Sequence, residues 1–351
     1  MASFSSRLGG LVRDSLTTLL VLVFLAALAE GLFRVLQDVV QEPTAPATTA
    51  PVEEDLALPP LHHPEELSLP GIRGLNAGAL FETNRDGFRG PARTREKPPG
   101  VTRVAIIGDS TAMGWGVAEE DTYAARLEPL LVSDELPHGV EVLNFALAGL
   151  TAEGVLRRLE ELALDFDPDI VVYGYSLNDI AGPRYRHSLD RDYARSLFQN
   201  DSPSHLWRWL RPRWLAFQEV IFAPRGTFAF ELDENYFRNP EALDEVRTRM
   251  ERLAELGRLH DFCGVVLVHT QMQALHALHP YERHYRVIEE LAQQAGLTSI
   301  DSLDRFREES ARELWVNPND RHANARGHAI YAALLADGLT DLPQACWPAS
   351  R

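Results

Sequence analysis

A serine hydroxyl becomes a nucleophile near neutral pH only when a base takes its proton, and that base works best when a carboxylate fixes its tautomer. Ser110 has the setting for this. It follows Val104-Ala105-Ile106-Ile107, a β-branched apolar run, through Gly108 and Asp109, and is followed by a glycine-punctuated loop, Met113-Gly114-Trp115-Gly116. By itself the tripeptide Gly108-Asp109-Ser110 reads as a turn whose Asp or Ser caps the next helix. Three later segments change that reading. Asn144-Phe145-Ala146-Leu147-Ala148-Gly149-Leu150-Thr151 offers the Gly149 N–H at close approach, with no side chain in the way. Ser176-Leu177-Asn178-Asp179 offers the Asn178 carboxamide, so that with the Ser110 N–H three donors are available to a developing oxyanion. Asp320-Arg321-His322, just ahead of Asn324 and Gly327-His328, supplies a carboxylate and an imidazole.

Residues so far apart meet only if the chain returns each of them to one edge of the fold. Strand-like apolar runs at 103–107, 140–145, 170–175, 264–269 and 297–300 alternate with helical patterns at 123–131, 152–164, 240–260, 281–294 and 325–336. This alternation predicts an α/β protein with a parallel sheet covered on both faces. Right-handed crossovers then give a three-layer α/β/α sandwich of five parallel strands, with reactive groups at the carboxyl ends of the strands. One stretch breaks the cadence. Residues 180–238 are too long for an ordinary connection and hold Trp207, Trp209, Trp214, Phe217, Phe222, Tyr236 and Phe237. They read as a partly helical insertion whose aromatic side chains either line an acyl or sugar pocket, or pack onto the body of the protein or a membrane surface.

The order Gly108-Asp109-Ser110, Gly149, Asn178-Asp179, then Asp320 and His322 is similar to the four sequence blocks of the SGNH (GDSL) hydrolase superfamily. The resemblance implies a flavodoxin-like three-layer fold. It also implies Ser110 as nucleophile, His322 as general base and Asp320 as its orienter, with an oxyanion hole of the Ser110 and Gly149 N–H groups and the Asn178 side chain. Asn84-Arg85-Asp86-Gly87-Phe88-Arg89-Gly90 and the N-terminal segment resemble a membrane-anchored, exported bacterial subgroup, so the likeness runs from about residue 61 to 339 and takes in the anchor as well. Three positions depart from the common pattern. Arg321 alone separates Asp320 from His322 where many members have two residues, with Asn319 at the longer spacing; Ser176 stands where block three often has glycine; and Thr111 follows the serine in place of leucine. The implied activity is that of a serine esterase cleaving a carboxylic ester, O-acetyl esters included, through an acyl-enzyme. The alternatives are an O-acyltransferase acting on a cell-surface or secreted glycan, and a non-catalytic glycan-binding domain. The complete Ser/Asn/His set argues against the last of these.

With 351 residues, 45% of them hydrophobic, the chain is long enough for one large core. Acidic residues outnumber basic ones 51 to 34, and the net charge of -17 argues against nucleic acid as a partner. Cys263 and Cys346, the only cysteines, exclude a multi-cysteine zinc framework and leave open either two thiols or one disulfide. His62, His63, His276 and His279 lack metal-site spacing, so neither a metal nor a cofactor is expected. Arg89 beside the Asp86-Gly87 turn reads as a surface arginine more readily than as an anion binder, and His328 as a packing residue rather than a second base. Residues 15–36 are mostly apolar and follow Arg7 and Arg13, which predicts a membrane anchor with its N-terminus inside. The rival is a cleaved signal peptide, since Ala27-Leu28-Ala29 fits the cleavage pattern and Glu30 interrupts the run. Either reading exports the rest of the chain; a buried soluble helix, the third reading, accounts poorly for the N-terminal arginines and the missing amphipathicity. The expected organisation is a cytoplasmic N-terminus and anchor over 1–40, a disordered Pro/Ala/Thr-rich linker over 41–60 and an extracytoplasmic hydrolase domain over 61–345, periplasmic or at the cell surface.

Overall fold

Ahead of the main sheet, β1 (Arg73–Asn76) and β2 (Ala79–Glu82) pair as an antiparallel hairpin. The computed structural model describes residues 58–61, 63–132, 139–180, 228–273, 275, 279–317 and 320–347, with 21, 25, 28–31, 204, 206 and 207. Five parallel strands follow: β3 (Thr102–Gly108), β4 (Val140–Asn144), β5 (Ile170–Tyr175), β6 (Cys263–Val268) and β7 (Thr298–Asp301), in the spatial order β4-β3-β5-β6-β7. Every residue of β3 and β5 is buried, as expected for central strands covered on both faces. At the edges, β4 and β7 admit partly exposed positions. Because β3 lies between β4 and β5, the chain's direction of winding reverses beside it. The carboxyl end of β3 is therefore the crevice where open α/β sheets bind ligands.

The longer helices cover this sheet. They are α3 (Tyr123–Leu131), α4 (Ala152–Glu161), α6 (Pro240–His260), α7 (Glu282–Gln294) and α9 (Ala325–Thr340), with α1 (Pro64–Leu67), α2 (Ser110–Met113), α5 (Phe228–Phe237) and α8 (Leu303–Phe306) in the connections. Helix α3 packs on α9, while α4 packs on α6 and α6 on α7, giving the two outer layers. In α6, Asn239 caps the Ala242 N–H and Pro240 occupies the first turn, where its missing N–H costs nothing. Val246, Met250, Leu253 and Leu256 then bury one stripe at helical spacing. Cys263 at the start of β6 and Cys346 form a disulfide, Cα–Cα 5.6 Å, which resolves the choice left open by the sequence.

The chain divides into two compact units, one formed by residues 49–189 and 228–351, the other by 1–48 and 190–227. In the second unit Glu30 accepts the Ser204 hydroxyl at 2.6 Å and the Leu206 N–H at 2.9 Å, so the acid that interrupts the apolar run has partners in the aromatic insertion. The membrane anchor expected over 15–36 lies mostly outside the described residues, and among those described no helix is long and apolar enough to cross a membrane. Of the expected linker only 58–60 are described; there the Leu75 N–H donates to Pro59 at 2.9 Å, joining the chain to β1. Helix α5 closes the stretch assigned to the insertion and belongs to the first unit. Its Tyr236 is buried with its hydroxyl 2.9 Å from that of Tyr175, so this aromatic packs α5 against the sheet.

Candidate active site

The position of Ser110 follows from a strand running directly into a helix. Asp109 caps α2 by accepting the Thr111 N–H at 3.0 Å, which makes Ser110 the first helical residue and leaves its own N–H without a partner in that helix. Gly114 then ends the turn at φ 87°, and the Trp115 N–H returns to the Ser110 carbonyl at 3.0 Å. Arg89 ties this loop from below. Its guanidinium, 1% exposed, donates to the carbonyls of Met113 at 3.1 Å, Gly114 at 2.7 Å and Val117 at 3.0 Å and pairs with Glu119 at 3.0 Å. The expectation of a surface arginine is therefore wrong: Asp86-Gly87 does turn the chain, but the turn sends Arg89 inward. Burial lowers the Arg89 pKa and raises that of Glu119, and their mutual attraction opposes both shifts.

His322 arrives on a hairpin, β8 (Trp315–Asn317) with β9 (Asp320–Ala323). Residues two apart on a strand share a face, so Asp320 and His322 project together and one intervening residue suffices. Asn324 fixes the hairpin to α9: its side chain accepts the Arg326 and Gly327 N–H groups, and its amide donates to the Glu313 and Trp315 carbonyls. His322 Nε2 lies 2.9 Å from Ser110 Oγ, and His322 Nδ1 lies 2.6 Å from Asp320 Oδ1. With a carboxylate as its partner, Nδ1 is assigned the proton, which leaves Nε2 to accept from the serine. The other Asp320 oxygen accepts the Trp115 indole N–H at 2.9 Å. Partial burial lowers the His322 pKa, but the hydrogen bond and charge of Asp320, with the charge of Asp109, outweigh it, and the net shift is upward from 6.5. Burial raises the Asp320 pKa, and the His322 contacts with the Trp115 hydrogen bond bring it below its ordinary value.

Ser110, His322 and Asp320 are thus joined by direct hydrogen bonds. Asn178, in the single turn Leu177–Ile180 after β5, donates its side-chain N–H to Asp109 Oδ2 at 3.4 Å and so stands beside the residue that caps α2. Gly149 lies in the loop after β4, brought alongside the end of β3 by the Leu147 N–H to Gly108 carbonyl bond at 3.1 Å. Its φ of 85° strongly favours glycine. Trp115 and Arg89 are the residues that sequence reasoning missed as parts of the site. The signal for Trp115 was its place in a glycine-punctuated loop shortly after Ser110. His328 is buried, accepts the Tyr123 N–H at 3.1 Å and is pulled by burial to about 3, so it stays neutral and hydrogen-bonded as a packing residue. Among the described residues no group of three or more His, Cys, Asp or Glu is arranged to hold a metal ion. His62 and His276 lie outside the described residues.

The fold and the matching family define a serine-type carboxylic ester hydrolase. The chain belongs to the GDSL-like lipase/acylhydrolase family, whose model matches residues 106–330. No curated protein sequence matches the chain significantly. Among solved structures it is similar to Axe2, an acetylxylan esterase from Geobacillus stearothermophilus, at 18% identity over 71% of this chain and 97% of that one, TM-score 0.43. It is also similar to LAE5, an α/β hydrolase from the metagenome of Lake Arreo, at 14% identity over 69% and 96%, TM-score 0.42. A two-domain esterase active on acetylated mannans is similar at 14% identity over 68% and 49%, TM-score 0.41.

Proposed function

We propose that Ser110 attacks the carbonyl carbon of a carboxylic ester while His322 takes the hydroxyl proton. The alcohol then leaves with that proton, and the acyl group stays on Ser110 until a water, deprotonated by His322 in turn, releases the acid. The unbroken chain from Ser110 Oγ to His322 at 2.9 Å and on to Asp320 at 2.6 Å is the observation that carries this reading. The oxyanion is held by the Ser110 and Gly149 N–H groups and by the second side-chain N–H of Asn178, the first being given to Asp109. Ser110→Ala and His322→Ala are each expected to lower hydrolysis of p-nitrophenyl acetate by about 10⁴-fold or more with the fold intact. Activity near that of the parent in either variant removes the triad.

The enzyme is proposed to work outside the cytoplasm, held at a membrane by its N-terminal segment. Two observations support this: the apolar run over 15–36 behind Arg7 and Arg13, and the Cys263–Cys346 disulfide, a bond that persists in oxidising compartments. O-acetyl esters of cell-surface or secreted glycans are the substrate class that such a location exposes to it. A reporter fused to the C-terminus should signal from outside the cytoplasm; a signal from inside overturns the placement.

A further inference from the structure

Behind the nucleophile lies a second chain of hydrogen bonds that the reaction itself does not use. Ser176, 2% exposed at the end of β5, places its hydroxyl 2.9 Å from Asp109 Oδ1 and 3.4 Å from His269 Nδ1. Asp109 is a hub: Oδ1 also takes the Thr111 N–H at 3.0 Å, and Oδ2 takes the Asn178 amide at 3.4 Å. We propose that Ser176 and His269 are positioning residues, which hold Asp109 so that it fixes the Asn178 carboxamide with its remaining N–H toward the oxyanion. This rests on the reading of Asn178 as an oxyanion donor.

The proton directions follow from the inventory of donors. A carboxylate only accepts, so the single Ser176 proton goes to Asp109 and the serine oxygen is left to accept from His269. His269 is neutral, because burial pulls it to about 4 against the nearby charge of Asp109, and its one proton therefore sits on Nδ1. Each donor in the chain then points toward Asp109. Asn178 is obliged to offer Asp109 its amide nitrogen, because its carbonyl oxygen would face a carboxylate. The far end of the chain is packed among aromatic rings. The His269 ring stands edge-on to Tyr331 at 5.1 Å and to Tyr123 at 5.8 Å, and a Cβ on Gly174 would come within 2.6 Å of its Cε1. Glycine at 174 thus leaves the space in which this histidine sits. Serine at 176 occurs where the related block often carries glycine, so this support belongs to the chain's own sequence.

The test is a cycle of Ser176→Ala and Asn178→Ala, alone and together, with kcat and KM measured on p-nitrophenyl acetate. Asn178→Ala should lower kcat by about 10²-fold, the order found for loss of one oxyanion donor. Ser176→Ala should lower kcat by about tenfold with KM within about twofold, yet cost less than about twofold once Asn178 is gone, because coupled residues are not additive. The same loss in both backgrounds, or no loss in either, overturns the positioning role. An Asn178→Ala variant with the parent's rate instead removes the oxyanion assignment itself, and the proposal falls with it. If Ser176→Ala does not fold, Ser176→Gly serves in the same cycle. As a rescue, His269→Asn keeps an amide N–H near the place of Nδ1 and should retain most activity, whereas His269→Leu should fall as Ser176→Ala does. Equal losses in these two count against the chain.

Discussion

Asp320 holds His322 from a position only two residues away, and the extended backbone of β9 is what brings both side chains to one face. The short spacing is therefore no obstacle to the pair. It sets a pH dependence whose sign follows from the causes of the shift. If His322 is the proposed base it must be neutral to accept a proton, and its pKa is raised above 6.5, so kcat/KM should climb with pH through a value above 6.5. Asp320→Asn removes the carboxylate whose charge and charge-assisted hydrogen bond raise it, and leaves burial opposed only by the charge of Asp109; the acidic limb should then move to lower pH as kcat falls. A pH–rate profile of the two proteins decides this, and an acidic limb that stays in place shows that another group sets the pKa. That Ser110, His322 and Asp320 come together was legible in the sequence, because a serine paired with a histidine and a carboxylate is a recognisable set of side chains. Arg89 was not, because three of its four partners are backbone carbonyls that any sequence would supply.

At the scale of elements, strands of continuous apolar residues were read almost to their ends. The run at 170–175 coincides with β5, and 240–260 coincides with α6, because burial on both faces or a helical stripe leaves a strong periodic trace. The two hairpins left none. β8 and β9, with the sequences WVN and DRHA, are too short and too polar to alternate visibly, although β9 carries Asp320 and His322. The disulfide was equally illegible, since a separation of 83 residues says nothing about geometry. It joins the amino-terminal end of β6 to the C-terminal segment, at the end of the sheet away from Ser110. Cys263→Ser with Cys346→Ser should therefore lower unfolding free energy by about 2–5 kcal/mol while kcat stays unchanged. Denaturant titration beside an esterase assay checks both halves; a large loss of kcat in a folded variant would show that the link reaches the site.

At the scale of the molecule, the sequence showed that residues 180–238 interrupt the α/β cadence, but not where the interruption ends. Helix α5 belongs to the hydrolase unit, held by Tyr236 against Tyr175, whereas 190–227 group with the N-terminal segment. Such an allegiance depends on contacts such as Glu30 with Ser204, which no local pattern announces. Replacing 190–227 with a short linker should leave the other unit folded and turnover of a small acetyl ester within about threefold, since contacts within a compact unit sustain its own fold. Loss of small-ester turnover in a folded product would show that the replaced segment is needed for the chemistry. The most direct measurement is reaction of the protein with a fluorophosphonate, followed by peptide mass analysis to locate the adduct. The phosphonyl group should be found on Ser110, with labelling abolished in Ser110→Ala and strongly slowed in His322→Ala. An adduct on another residue, or undiminished labelling of Ser110→Ala, would contradict an activated serine at the end of β3.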